Sequence, residues 1–90
     1  DNNFDKSVYI GIPKLVVEVL SKTTQSRDLG IKLEIYEKYG VNQYWIVDIN
    51  KQEIIVYSNN VNGKFKSITT FSIGDQLVWN ENKINLKDIF

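Results

Sequence analysis

One run of six residues limits what this 90-residue chain can become. Leu15 to Leu20 reads L-V-V-E-V-L, five aliphatic residues around a single acid. A short continuous apolar run of this kind, rich in β-branched residues, is expected to be a strand buried on both faces. Side chains alternate along a strand, so Leu15, Val17 and Val19 point one way and Val16, Glu18 and Leu20 the other. Glu18 is therefore a carboxylate between two apolar residues on one face. Such an acid is costly unless it is paired with a cation or bound to a metal. Two readings stay open at this point: an ion pair with a nearby Lys or Arg, or an acid placed for chemistry.

The rest of the chain is read around this strand. Residues 1–7 are a polar lead-in, and Val8, Tyr9 and Ile10 form a candidate short strand broken by Gly11. Residues 21–26 are a polar loop. A helix follows, with Ser26 as N-cap and Asp28 suited to the positive end of its dipole. Leu29, Leu33 and Tyr36 recur at helical spacing and define its buried face. Gly40 is the stop. Strands are then expected at Tyr44–Ile49, Glu53–Ser58 and Lys64–Phe71. Asn50-Lys51 is the first turn, and Asn59, Asn60, Asn62 and Gly63 mark the second. A short strand at Gln76–Trp79 and a segment from Leu86 to Phe90 close the chain. Strand, helix, strand, then meander is an α+β (mixed α/β) layer, a mixed sheet with one main helix packed on it. Residues 1–90 are expected to be a single domain.

Composition narrows the chemistry. The chain has no cysteine and no histidine, which removes disulfides, thiolate metal sites and the commonest general base. Catalysis, if present, would rest on carboxylates, lysines, hydroxyls or a hard metal ion. Eleven basic and eleven acidic residues cancel, whereas a nucleic-acid-binding module usually carries a basic surplus. No apolar run is long enough to span a membrane, and no secretory signal is visible, so the expected location is the cytoplasm. The chain contains no methionine, from which translation is expected to start upstream of Asp1.

Lys32 is the second residue of interest. It follows Leu29 by three and precedes Tyr36 by four, so it flanks the buried helix face. It also stands four residues after Asp28, in the favoured order for a helical ion pair worth about 0.3–0.5 kcal/mol. By spacing alone, that surface pair is the simplest role for Lys32.

From Gly11 to Gly40 the chain reads G-I-P-K-L-V-V-E-V-L-S-K-T-T-Q-S-R-D-L-G-I-K-L-E-I-Y-E-K-Y-G. This resembles the Uma-type restriction endonuclease family, whose pattern runs P-D-L-V-V-E-V-L-S, a polar loop, then R-D-x-x-x-K-x-x-x-Y. V-N-Q-Y-W-I-V-D is similar to the family's G-V-x-E-Y-W-I-V-D, and F-S-I-G-D through L-K-D-I-F to its ending. The resemblance covers nearly the whole chain and would make it the C-terminal part of a restriction-endonuclease-like domain of the PD-(D/E)XK type. It implies magnesium-dependent hydrolysis of DNA phosphodiesters. Two carboxylates would hold the metal, and a lysine would stabilise developing charge. Carried over, Glu18 is the metal-binding acid, the backbone carbonyl of Val19 an extra metal ligand, Lys32 the catalytic lysine and Asp28 its outer partner. The usual lysine two residues after the acid is replaced here by Leu20.

Two departures follow. The family's Pro-Asp is Pro13-Lys14 here. However, positions 14 and 18 lie about 13 Å apart along a strand at 3.3 Å per residue, so they could not share one magnesium ion with ligands at about 2.1 Å. The acid that pairs with Glu18 is expected from a preceding strand carrying its own Pro-Asp, and Asp1 and Asp5 sit in no such motif. The chain is therefore expected to be inactive by itself. The alternative is a non-catalytic interaction or homodimerisation domain derived from the nuclease fold. A DNA-binding module without catalysis is a third reading, but Lys14 to Lys32 holds four basic and two acidic residues, a thin surplus. Tyr44 and Trp45 could stack on bases, but large aromatics in strands more often fill cores. Asp48, at a strand end, reads as a turn acid.

Overall fold

The computed structural model of the chain describes residues 12–20 and 29–90. The expected strand at Val8–Ile10, the Ser26 N-cap and Asp28 lie outside the described residues. The elements in chain order are β1 (Leu15–Leu20), α1 (Leu29–Lys38), β2 (Gln43–Asp48), β3 (Glu53–Val61), β4 (Lys64–Phe71), β5 (Gln76–Trp79) and β6 (Asn82–Asn85). A 3-10 turn, Leu86–Asp88, follows β6. The fold is α+β. A four-stranded sheet in the order β1-β2-β3-β4 carries one helix, and β5-β6 forms a separate hairpin.

β1 and β2 run parallel, with Val16 opposite Tyr44 and Glu18 opposite Ile46. Parallel neighbours need a long crossover, and α1 lies in it. β2, β3 and β4 then form an antiparallel meander. The helix stops at Gly40, whose φ of 82° closes the last turn. The Gly40 N–H donates to the Glu37 carbonyl and the Val41 N–H to the Tyr36 carbonyl, both at 3.1 Å. This pair of bonds is the Schellman ending that glycine permits.

The two faces of the sheet are covered differently. On one, Trp45, Val47, Ile54 and Val56 join Leu77 and Leu86 in a buried cluster, with Leu15, Phe71, Trp79, Ile84 and Phe90 packed against it. The β5-β6 hairpin and the terminal turn supply that cover. Trp45 meets Trp79 edge-on at 6.0 Å. On the other face, Tyr36 of α1 lies 4.9 Å from Tyr44, ring centre to ring centre. Leu29, Leu33 and Tyr36 are half-buried, as the helical spacing predicts, although none is fully enclosed.

Three sequence expectations are corrected. β1 is not buried on both faces: Val17 and Val19 are 46% and 52% exposed, because the hairpin layer does not enclose them. The Asn50-Lys51 turn is wider than two residues; Ile49 to Gln52 connect the strands, and Asp48 Oδ1 accepts the Lys51 N–H at 3.1 Å. Asp48 is thus the turn acid expected of it. The second turn is shorter than expected. β3 continues through Asn59 and Asn60 to Val61, and only Asn62-Gly63 turn, at φ 53° and 78°. Positive φ at both central residues is what a tight hairpin with the sheet's twist requires. The hairpin of β5 with β6 was not foreseen. Its turn residues, Asn80 and Glu81, also take positive φ, 50° and 70°, and Glu81 carries no sequence signal for that.

Candidate active site

Glu18 sits near the middle of β1, on the side that faces α1. Its Oε2 lies 2.8 Å from Nζ of Lys32, which comes from the first described turn of the helix. The two residues are fourteen apart in sequence. The parallel crossover brings them together, since it places Lys32 of α1 on the face of β1 that carries Glu18. The carboxylate side chain is 23% exposed and the lysine side chain 40% exposed. At that exposure an ion pair contributes at most about 1 kcal/mol, so the pair is an inexpensive place to hold a solvent-accessible acid and cation. Its geometry serves both readings of Glu18 left open by the sequence.

Beneath the pair lies Tyr44, which is 0% exposed. Its ring is held between Tyr36 at 4.9 Å and Tyr57 at 6.0 Å. Its hydroxyl is buried and, among the described residues, has no hydrogen-bond partner. Burial first, then the negative charge of Glu18, then Tyr36 and Tyr57, push the phenol up to about 12. Packing is the main role of Tyr44 and Trp45, and neither is open to a base. What the sequence reading missed is the buried hydroxyl beside Glu18. The alternation of β1 puts Val16 and Glu18 on one face, but the parallel register that sets Tyr44 opposite Val16 carries no local sequence signal.

The backbone at Val19 has a definite direction. The Lys14 carbonyl accepts from Gln43 N–H at 3.0 Å and the Leu20 carbonyl from Ile49 N–H at 3.1 Å. Even-numbered carbonyls of β1 therefore point at β2, and the Val19 carbonyl points at the opposite edge. No described strand pairs with that edge. Lys14 stands exposed just before β1. Asp28 lies outside the described residues, so its pairing with Lys32 is not part of the described geometry. Two further residues shape the helix end. Asn60 Nδ2 donates to the carbonyls of Glu37 at 3.2 Å and Val41 at 2.9 Å. Glu37 Oε2 accepts the Phe65 N–H at 3.0 Å.

Magnesium needs near-octahedral oxygen ligands, usually with one or two protein carboxylates. Among the described residues no group of three or more acids, histidines or cysteines is placed to hold a metal. Glu18 offers one carboxylate, whose Oε2 is engaged by Lys32. The described residues by themselves do not make a magnesium site.

Comparison with known proteins adds two findings. The model of the family Uma2, described as "Putative restriction endonuclease", matches residues 5–81. Among solved structures, a protein from Anabaena variabilis ATCC 29413, described as "a putative nuclease belonging to DUF820", superposes with a TM-score of 0.72 at 18% identity. The match covers 91% of this chain and 46% of that one, so the chain spans about half the length of the solved structure. At that identity the likeness speaks for the fold. No curated protein matches the chain.

Proposed function

Because the chain belongs to the Uma2 family of restriction-endonuclease-like proteins, we propose that Glu18 and Lys32 are the acid and the cation of a centre for hydrolysing DNA phosphodiesters. The observation that carries this reading is the 2.8 Å contact between Lys32 Nζ and Glu18 Oε2. It joins the two residues that the family pattern assigns to the reaction, across a strand and a helix, at a solvent-reached edge of the sheet. In this reading the ammonium group holds the Glu18 carboxylate in place. Its positive charge then stabilises a phosphate oxygen as charge builds in the transition state. A divalent metal, magnesium by the family's chemistry, would polarise the phosphate and activate water. Glu18 and the outward Val19 carbonyl would face it, with Asp28 supporting Lys32 from outside. A further acid must come from beyond the described residues. Residues 1–90 then form the C-terminal part of a larger nuclease domain.

The chain by itself is expected to leave supercoiled DNA intact in magnesium. A protein extended upstream to the length of its solved relative is expected to nick it. Lys32→Ala should slow that cleavage by about 10²-fold, and Glu18→Gln should abolish it. Robust cleavage by the 90-residue chain, lost in Glu18→Gln, would overturn the inactivity. Cleavage by the longer protein that ignores both substitutions would overturn the site.

One observation favours a second reading, a non-catalytic interaction domain that dimerises. Val17 and Val19 are exposed beside the outer edge of β1, which no described strand occupies. Unpaired edges of this kind recruit other strands. Light scattering separates the readings: a stable dimer that Val17→Lys dissociates would favour the second.

A further inference from the structure

Tyr44 is the group in this molecule that the reading so far does not use. A buried hydroxyl without a partner loses its hydration and gains nothing in return, a cost that folded proteins rarely accept. Phenylalanine would fill the same space between Tyr36 and Tyr57 without that cost. The place of the hydroxyl supplies a reason. Tyr44 pairs with Val16 in the β1-β2 register, so it lies diagonally from Glu18 on the same face. Diagonal neighbours in a sheet are within reach of aromatic and long side chains. Lys32 takes only Oε2 of Glu18, which leaves Oε1 able to accept. Independently, the Glu18 charge acts on the Tyr44 phenol, second only to burial.

We propose that Tyr44 is a positioning residue whose hydroxyl donates to the Glu18 carboxylate on the oxygen that Lys32 leaves open. A small rotation of the Glu18 side chain, or one bridging water, closes the bond. Glu18 is then held from two sides, by Lys32 at the rim and by Tyr44 from beneath, and its carboxylate plane is fixed. Tyr44 is too deeply buried to touch a substrate. It acts through Glu18, and its importance for chemistry rests on the reading of Glu18 as the acid of the site.

The test is a double-mutant cycle on the full 90-residue chain, with Tyr44→Phe, Glu18→Ala and both. Tyr44→Phe is expected to lower the melting temperature by about 4–8 °C, the shift that loss of one buried hydrogen bond gives in a domain of this size. In the Glu18→Ala background the same change should have little effect or raise it. Equal shifts in the two backgrounds, or a rise on Tyr44→Phe alone, would overturn the proposal. A second measurement needs no folded variant. In the unaltered chain the Tyr44 hydroxyl proton should exchange slowly enough to be seen by NMR, with a cross-peak to Glu18 or to a bound water. Rapid exchange, or protection with no such cross-peak, counts against it. Neither readout involves cleavage, so a failed cycle leaves the nuclease test standing, and a failed nuclease test leaves the cycle standing.

Discussion

A carboxylate among valines is affordable only because of what surrounds it. Glu18 keeps 23% of its side chain in solvent and meets Lys32 at 2.8 Å, so it escapes the full penalty of burial. Tyr44 has no such outlet, and its raised phenol makes stability depend on alkaline pH. In the folded chain it holds its proton until about 12, whereas an exposed tyrosine gives it up at 10.0. The stabilisation is fully present below about pH 10 and is lost as pH rises toward 12, because the unfolded chain has already released a proton that the native state retains. Urea midpoints at about pH 9 and about pH 11.5 should therefore differ more in the unaltered chain than in Tyr44→Phe. Equal alkaline losses in both would show that other groups cause them.

At the scale of elements, the question is what fixes α1 over the sheet when none of its residues is fully buried. Apolar contact alone leaves such a helix loosely held. Asn60 supplies the missing constraint, because one amide ties two carbonyls at the helix end, those of Glu37 and Val41. Asn59 makes this possible. Its φ of 57° breaks the alternation of β3, so Asn60 reaches the helix although Ile54 and Val56, of the same parity, point into the opposite core. We expect Asn60→Ala to cost about 1–2 kcal/mol through the carbonyls it leaves unpaired. Amide exchange should quicken in α1 before it quickens in β2. A uniform loss across the chain would argue against a local clamp.

For the molecule as a whole, stability rests mainly on the face away from the candidate site. There the β5-β6 hairpin and the terminal turn close over Trp45, Val47, Ile54 and Val56. Leu86 is fully buried in that layer, and its N–H donates to the Asp75 carbonyl at 3.1 Å. Leu86→Ala should cost about 2–5 kcal/mol. In a domain this small that is a large part of the total margin, so thermal melting should show a markedly lower or absent transition. Loss of this layer would disturb the site only indirectly, by loosening the β2 strand on which β1 is aligned.

The sequence alone determined the elements whose signals are local. Leu15–Leu20, Lys64–Phe71 and Gln76–Trp79 form strands where alternation and apolar runs place them, and Gly40 ends the helix because the chain needs a positive φ there. The family pattern also named Glu18 and Lys32. Tertiary structure decided what lies far apart in sequence. The partner of Glu18 is fourteen residues away, and Tyr44 lies diagonal to Glu18 only through a parallel register that no local pattern encodes. The exposure of Val17 and Val19, the length of β3 and the β5-β6 hairpin were settled in the same way. A strand's own residues specify that it is a strand; which faces are covered depends on which other elements arrive, and that is fixed by packing across the whole chain.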